Sequence, residues 1–202
     1  MRKTLVAALG LVMAGAVVSA QETYTEPKSG TSFQVHRDGM TLLGAGLRVK
    51  KILFTFKAYA VGFYVDDAAL SGPLAAFKGK GVTPALYQEL ATGDFRKELV
   101  LKFLRNLSEG RIQGAMRESL EGADPKILDQ FVAYFPEIKD GQQCTLRWMP
   151  GGTLESIMAG QERPPIANKA FTERLFGLYL GEHPLQDDIK AGLVARVPEV
   201  LK

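Results

Sequence analysis

Beyond residue 20 the apolar positions cluster most densely in residues 52–65 (ILFTFKAYAVGFYV), a run rich in aromatics and Val and free of Pro. Such a run predicts a central β-strand, with Gly62 marking a bulge or the close approach of another segment. Period-two counting puts Lys57, Tyr59, Val61 and Phe63 on one face of it. Residues 40–50 predict a preceding strand broken by Gly44 and Gly46. Residues 32–36 (SFQVH) predict a short one closed by an Asp38-Gly39 turn. Residues 21–31 are polar, with Pro27 and Gly30, and read as a loose N-terminal arm.

Farther along, the period lengthens. Residues 66–81 hold a small helical turn and a Gly-Lys loop, and Thr83-Pro84 opens a helix to about Leu90. Residues 97–104 (KELVLKFL) read as a strand. Residues 108–120 and 125–135 read as amphipathic helices: Ile112, Ala115, Met116 and Leu120 form the first apolar face, and Ile127, Phe131 and Tyr134 the second. Residues 142–149 and 153–159 alternate across Pro150-Gly151-Gly152, a hairpin signal. Residues 168–180 predict a helix ended by Gly181, and residues 184–194 a last helix. Antiparallel-looking strands before and between helical pairs make an α+β fold, with helices on one sheet face.

The N-terminus changes the picture of location. Arg2 and Lys3 precede a short apolar run, and Val18-Ser19-Ala20 offers small residues for a cut after Ala20. The run is shorter than the roughly 20 residues a span needs. Residues 1–20 therefore read as a cleavable signal peptide and 21–202 as one domain, periplasmic or secreted, with no stable membrane span after cleavage. Without Arg2 and Lys3 the 25 basic side chains become 23, against 22 acidic ones, so nothing calls for nucleic acid. The single cysteine, Cys144, cannot form an internal disulfide and reads as a buried apolar-like residue. A monomer resting on its core is expected.

Several chemistries drop out. His36 and His183 stand in no metal-ligand spacing, and Gly44-Ala45-Gly46 lacks the third glycine of a dinucleotide loop. No Gly-x-Ser-x-Gly elbow occurs. No metal or cofactor is expected. Three polar groups remain in apolar contexts: Arg48, Tyr59 and Thr172.

At these residues the chain resembles the chalcone isomerase fold family. The likeness runs through LGAGLRVKKILFTFKAYAVGFYVDD, ELVLKFLRNLSEGRIQGAMRESL, CTLRWMPGGTLESIMAG and IANKAFTERLFGLYLGEHP, and is nearest to exported bacterial members. It implies an open-faced β-sandwich: a long antiparallel sheet covered by a layer of helices, with a cleft between. In the plant enzymes of that family an arginine holds a developing anion, and Thr and Tyr polarise a ketone. Non-catalytic members bind fatty acids through the arginine and a tyrosine. Matched position by position, Arg48 falls on the arginine and Tyr59 on the catalytic threonine. Ile112 falls on the catalytic tyrosine, Ser119 on an asparagine, and Thr172 on a Ser/Thr position.

The resemblance implies a ligand-binding role more than catalysis. Losing one oxyanion-type donor costs about 3–4 kcal/mol at a transition state, whereas an arginine with a phenol still grips a carboxylate. The expected ligand is a small amphipathic or aromatic molecule, a fatty acid or similar acid, held by Arg48, Tyr59 and Thr172. The alternatives are an intramolecular lyase acting on a chalcone-like enone, with Arg48 and Thr172 catalytic, and a non-catalytic envelope partner whose cleft is filled by Phe63, Ile112 and Phe171.

Overall fold

The computed structural model describes residues 21–51 and 55–202. The signal-peptide reading, and the first three residues of the run at 52–65, lie outside the described residues.

Seven strands form one antiparallel meander in chain order: β3 (His36–Arg37), β4 (Met40–Lys51), β5 (Thr55–Asp66), β6 (Lys97–Phe103), β7 (Gln143–Met149), β8 (Thr153–Met158) and β9 (Gln161–Ala167). Asp38 and Gly39, both with positive φ, make the tight β3–β4 turn. Between β5 and β6 lie α1 (Asp67–Ser71), a 3₁₀ turn (Pro73–Phe77) and α2 (Pro84–Thr92). The Thr83 hydroxyl caps α2 at the Leu86 N–H, as Thr-Pro predicted. Between β6 and β7 lie α3 (Glu109–Ser119) and α4 (Pro125–Val132), the latter capped by Asp124. After β9 come α5 (Lys169–Leu180), α6 (Asp187–Gly192) and α7 (Val197–Val200). The sheet is open and curled, covered by helices on one face.

Alternation along the strands divides the core. Tyr59, Val61 and Phe63 of β5 and Leu99, Leu101 and Phe103 of β6 pack under the helices, against Leu86, Ile112, Phe131 and Leu175. Ala60, Tyr64 and Val100 point the other way. There they meet Phe33, from a ribbon of β1 (Thr23–Thr25) and β2 (Ser32–Gln34). The expected loose arm is thus a strand pair closed by buried Glu26, whose carboxylate accepts from the Ser29 N–H and hydroxyl. Its polarity misleads because it covers only a small apolar patch.

Two glycine readings sharpen. Gly62 marks close approach: a Cβ there would stand 2.7 Å from the Phe33 ring. Gly44 and Gly46 do not break β4, which is continuous. They let α6 lie on the strand backbone to backbone; a Cβ on Gly46 would stand 2.9 Å from Ile189 Cα, and one on Gly192 2.6 Å from the Ala45 carbonyl oxygen. The expected helix over 184–194 is accordingly shorter, starting only after Gln186. Edge strand β9 went unread because Pro164 and Pro165 supply no N–H to a ladder, a pattern that suits an edge.

Candidate functional site

The backbone contact of α6 with β4 brings Leu185 and Gln186 beside Arg48. Arg48 Nη1 donates to the Leu185 carbonyl at 2.8 Å and lies 3.5 Å from Gln186 Oε1. The same Oε1 accepts from the Val49 N–H at 3.2 Å. One arm of the guanidinium is therefore fixed by neutral acceptors. Among the described residues Arg48 makes no salt bridge, so a structural ion pair does not account for it.

Opposite Arg48, strand β5 carries a bulge. Arg48 pairs with Tyr59 and Val49 with Lys57, leaving Ala58 out of register. One extra residue shifts the alternation by one. Phe56, Ala58 and Tyr59 all reach the helix-covered side, while Lys57 is exposed and its Nζ donates to the Lys28 carbonyl. The period-two grouping of Lys57 with Tyr59 fails for that reason.

Tyr59 is 6% exposed and its hydroxyl lies 3.1 Å from that of Tyr179. Burial raises the Tyr59 pKa, with the Tyr179 hydrogen bond and the Arg48 charge pulling the other way. Burial first, and the Tyr59 charge and hydrogen bond next, push Tyr179 well above the ordinary phenol value. Both phenols are neutral at physiological pH. Either hydroxyl can donate to the other, and where Tyr179 donates the Tyr59 proton is left for an acceptor in the cavity.

That cavity holds about 450 Å³. Phe56, Ala58, Phe103, Leu107, Ile112 and Met116 make it apolar, and the Tyr59 and Ser119 hydroxyls add neutral polar groups. Four cations line it: Arg48 and Lys50 from β4, Arg105 just after β6, and Arg111 from the first turn of α3. No carboxylate lines it, and none of the four forms a salt bridge among the described residues. The Arg105 guanidinium stacks 4.2 Å from the Phe56 ring centroid, and its Nε is buried and unpaired.

Arg48, Tyr59, Ile112 and Ser119 thus meet around one cavity. Thr172 does not join them. It is fully buried, and its hydroxyl lies 2.8 Å from the Gly152 carbonyl and 3.1 Å from that of Asn168. Phe63 and Phe171 belong to the packed core, and neither lines the cavity. Sequence reading missed Lys50, Arg105, Arg111 and Tyr179. Arg105 and Arg111 occupy polar positions of a loop and a helix, and only the tertiary fold turns them to the same space.

Cys144 is buried, and burial pushes its thiol up to about 11, the behaviour of a core residue. Among the described residues no group of three or more His, Cys, Asp or Glu could hold a metal ion, and no helix is long and apolar enough to cross a membrane.

A family profile described as chalcone isomerase-like matches residues 22–195. A chalcone–flavanone isomerase of Phaseolus vulgaris is 26% identical over 182 residues, covering 78% of this chain and 82% of that protein. Fatty-acid-binding protein 1 of Arabidopsis thaliana is 24% identical over 200 residues, covering 87% of this chain and 71% of that one. The crystal structure of a fatty-acid binding protein of Arabidopsis thaliana superimposes with a TM-score of 0.76 at 22% identity, over 89% of this chain and 99% of that one. This last likeness shows the fold.

Proposed function

The chain belongs to the chalcone isomerase-like family, and from that premise we propose that it is an exported, non-catalytic protein that holds a fatty acid or similar amphipathic acid through Arg48 and Tyr59. The carrying observation is the apolar cavity of about 450 Å³ whose charged lining, among the described residues, is entirely cationic. Each methylene buried there contributes about 0.8 kcal/mol. A carboxylate at Arg48 adds a charge-assisted hydrogen bond of about 1.5–3 kcal/mol. The neutral Tyr59 phenol supplies a second donor.

Enone isomerisation draws less support from this arrangement. Ile112 stands in the cavity where the resemblance places a ketone-polarising tyrosine, and the Thr172 hydroxyl is bonded elsewhere. The open cavity also speaks against a filled, partner-only cleft.

Native mass spectrometry of the mature protein with added fatty acids tests the binding reading. Wild type is expected to retain one acyl ligand, and Arg48→Ala to weaken retention at least about tenfold, the equivalent of about 1.4 kcal/mol. No acyl adduct on wild type, or equal retention by the variant, would overturn it.

A further inference from the structure

Four cations around one small cavity are more than a single carboxylate can answer. Arg48 is held in place through Nη1 by Leu185. Arg105 presents a buried Nε with no acceptor, and Lys50 and Arg111 reach the same space from a strand and a helix. A monocarboxylate has one charge and two oxygens, so most of this positive charge would stay uncompensated beside apolar walls. Arg48, Lys50 and Arg105 are half-buried, so water screens their charge only in part. A phosphate monoester brings a charge of about −1.5 to −2 at pH 7 and three strong acceptor oxygens. The planar forks of Arg48, Arg105 and Arg111, brought to the cavity from three separate segments, suit such oxygens.

We infer that the head group this cavity selects is a phosphate monoester carried on an apolar body. This rests on the reading of the cavity as a site for an amphipathic acid. The monoester's second charge is matched by the cations beyond Arg48, and the apolar body packs against Phe56, Phe103 and Met116.

The test compares three submicellar probes of equal chain length by calorimetry at pH 7.5: dodecyl phosphate, its methyl ester and dodecanoate. The methyl ester keeps the phosphate shape with one charge. Dodecyl phosphate is expected to bind at least about tenfold tighter than either, a gap of about 1.4 kcal/mol. Arg105→Gln is expected to shrink that gap to under about threefold, with its thermal melt checking that it folds. Should it fail to fold, the exposed Arg111→Gln carries the same comparison. Dodecanoate or the methyl ester binding as tightly as the monoester overturns the inference and leaves acid binding standing. Binding of none of the three overturns both readings. A gap unchanged in the folded variant overturns the assignment of the second charge to these cations.

Discussion

On the sheet face away from the helices Arg37 and Arg147 converge on Glu98, whereas across the sheet Arg48 and Arg105 face a cavity that no carboxylate lines among the described residues. Arg147 Nε lies 2.8 Å from Glu98 Oε2, and its Nη1 lies 3.1 Å from Glu155 Oε2, so charge alternates across neighbouring strands. Glu98 is 1% exposed, and arginines reach its two carboxylate oxygens from both sides. Its carboxylate and its counterions come from the same chain. In the cavity the cations come from the chain, and among the described residues no carboxylate lines it. The first arrangement holds the sheet together, and the second has no carboxylate partner among the described residues, which is what the proposed acid ligand would supply.

The largest effect expected from breaking this contrast is at Glu98. Glu98→Ala removes the carboxylate shared by both arginines and leaves Arg147 with Glu155 and Arg37 with Asp38, each at the partly exposed rim. Losing one partner of a buried pair costs about 3–5 kcal/mol, and the partly exposed arginines put the expected loss near the low end, about 3 kcal/mol. Arg48→Ala forfeits a hydrogen bond to the Leu185 carbonyl and a long one to Gln186, together about 1–1.5 kcal/mol at this half-buried position. Urea unfolding of both variants measures the difference. Equal losses would erase the distinction between a structural and a ligand-directed arginine.

Lys97 sharpens the comparison from a third direction. It is a fully buried cation with no salt bridge among the described residues, and it does not line the cavity beside Arg48. Its Nζ donates to the Gly93 carbonyl at 2.8 Å and lies 4.0 Å from the Trp148 ring centroid, close also to Phe95 and Phe176. Burial lowers its pKa from 10.5 to about 7, against the pull of Glu89, Asp94 and Glu173. Between pH 7 and 9.5 the unfolded chain therefore binds more protons at this residue than the folded one. Its contribution to stability rises with pH across that window. Lys97→Met removes the titration and keeps much of the volume. Unfolding midpoints across pH 7–9.5 are expected to rise less in the variant, by on the order of 2 kcal/mol over the window. Parallel pH profiles would show that Lys97 is not a depressed amine. The window stops short of the tyrosines, whose raised values act in the opposite sense above pH 10.

These regions differ in how far a reader of the sequence could see them. Arg48 stood out because it follows two glycines in a stretch resembling a known family. The glycines themselves resist local reading, since their purpose is the contact with α6, some 145 residues downstream. Tyr59 was legible as a polar group in an apolar run, but the bulge at Ala58 altered which neighbours share its face. Arg105 and Arg111 carried no local signal, and neither did Lys97 at the start of a strand. A cation in a loop or a helix's first turn looks solvated until the fold closes over it. The helices and their caps were readable because Thr83, Asp124 and Asn168 act within three residues of themselves.

The smallest expected effect separates Thr172 from the cavity. Thr172 sits in α5, and its one hydroxyl proton serves the Gly152 carbonyl of the β7–β8 turn and the Asn168 carbonyl four residues back. It ties a helix to a hairpin, and none of its polar reach is directed at Arg48 or Tyr59. Thr172→Val keeps the branched shape and removes the donor, leaving the buried Gly152 carbonyl short of a partner. The expected cost is about 1–2 kcal/mol of unfolding free energy, with acyl-ligand affinity changed by less than about twofold, under about 0.4 kcal/mol. Thr172→Ser, which restores the hydroxyl, should recover much of the stability. Chemical unfolding and the native mass-spectrometric assay on the same samples read both quantities. A large loss of ligand without a loss of stability would return Thr172 to the binding site; the reverse pattern leaves it with α5 and the hairpin.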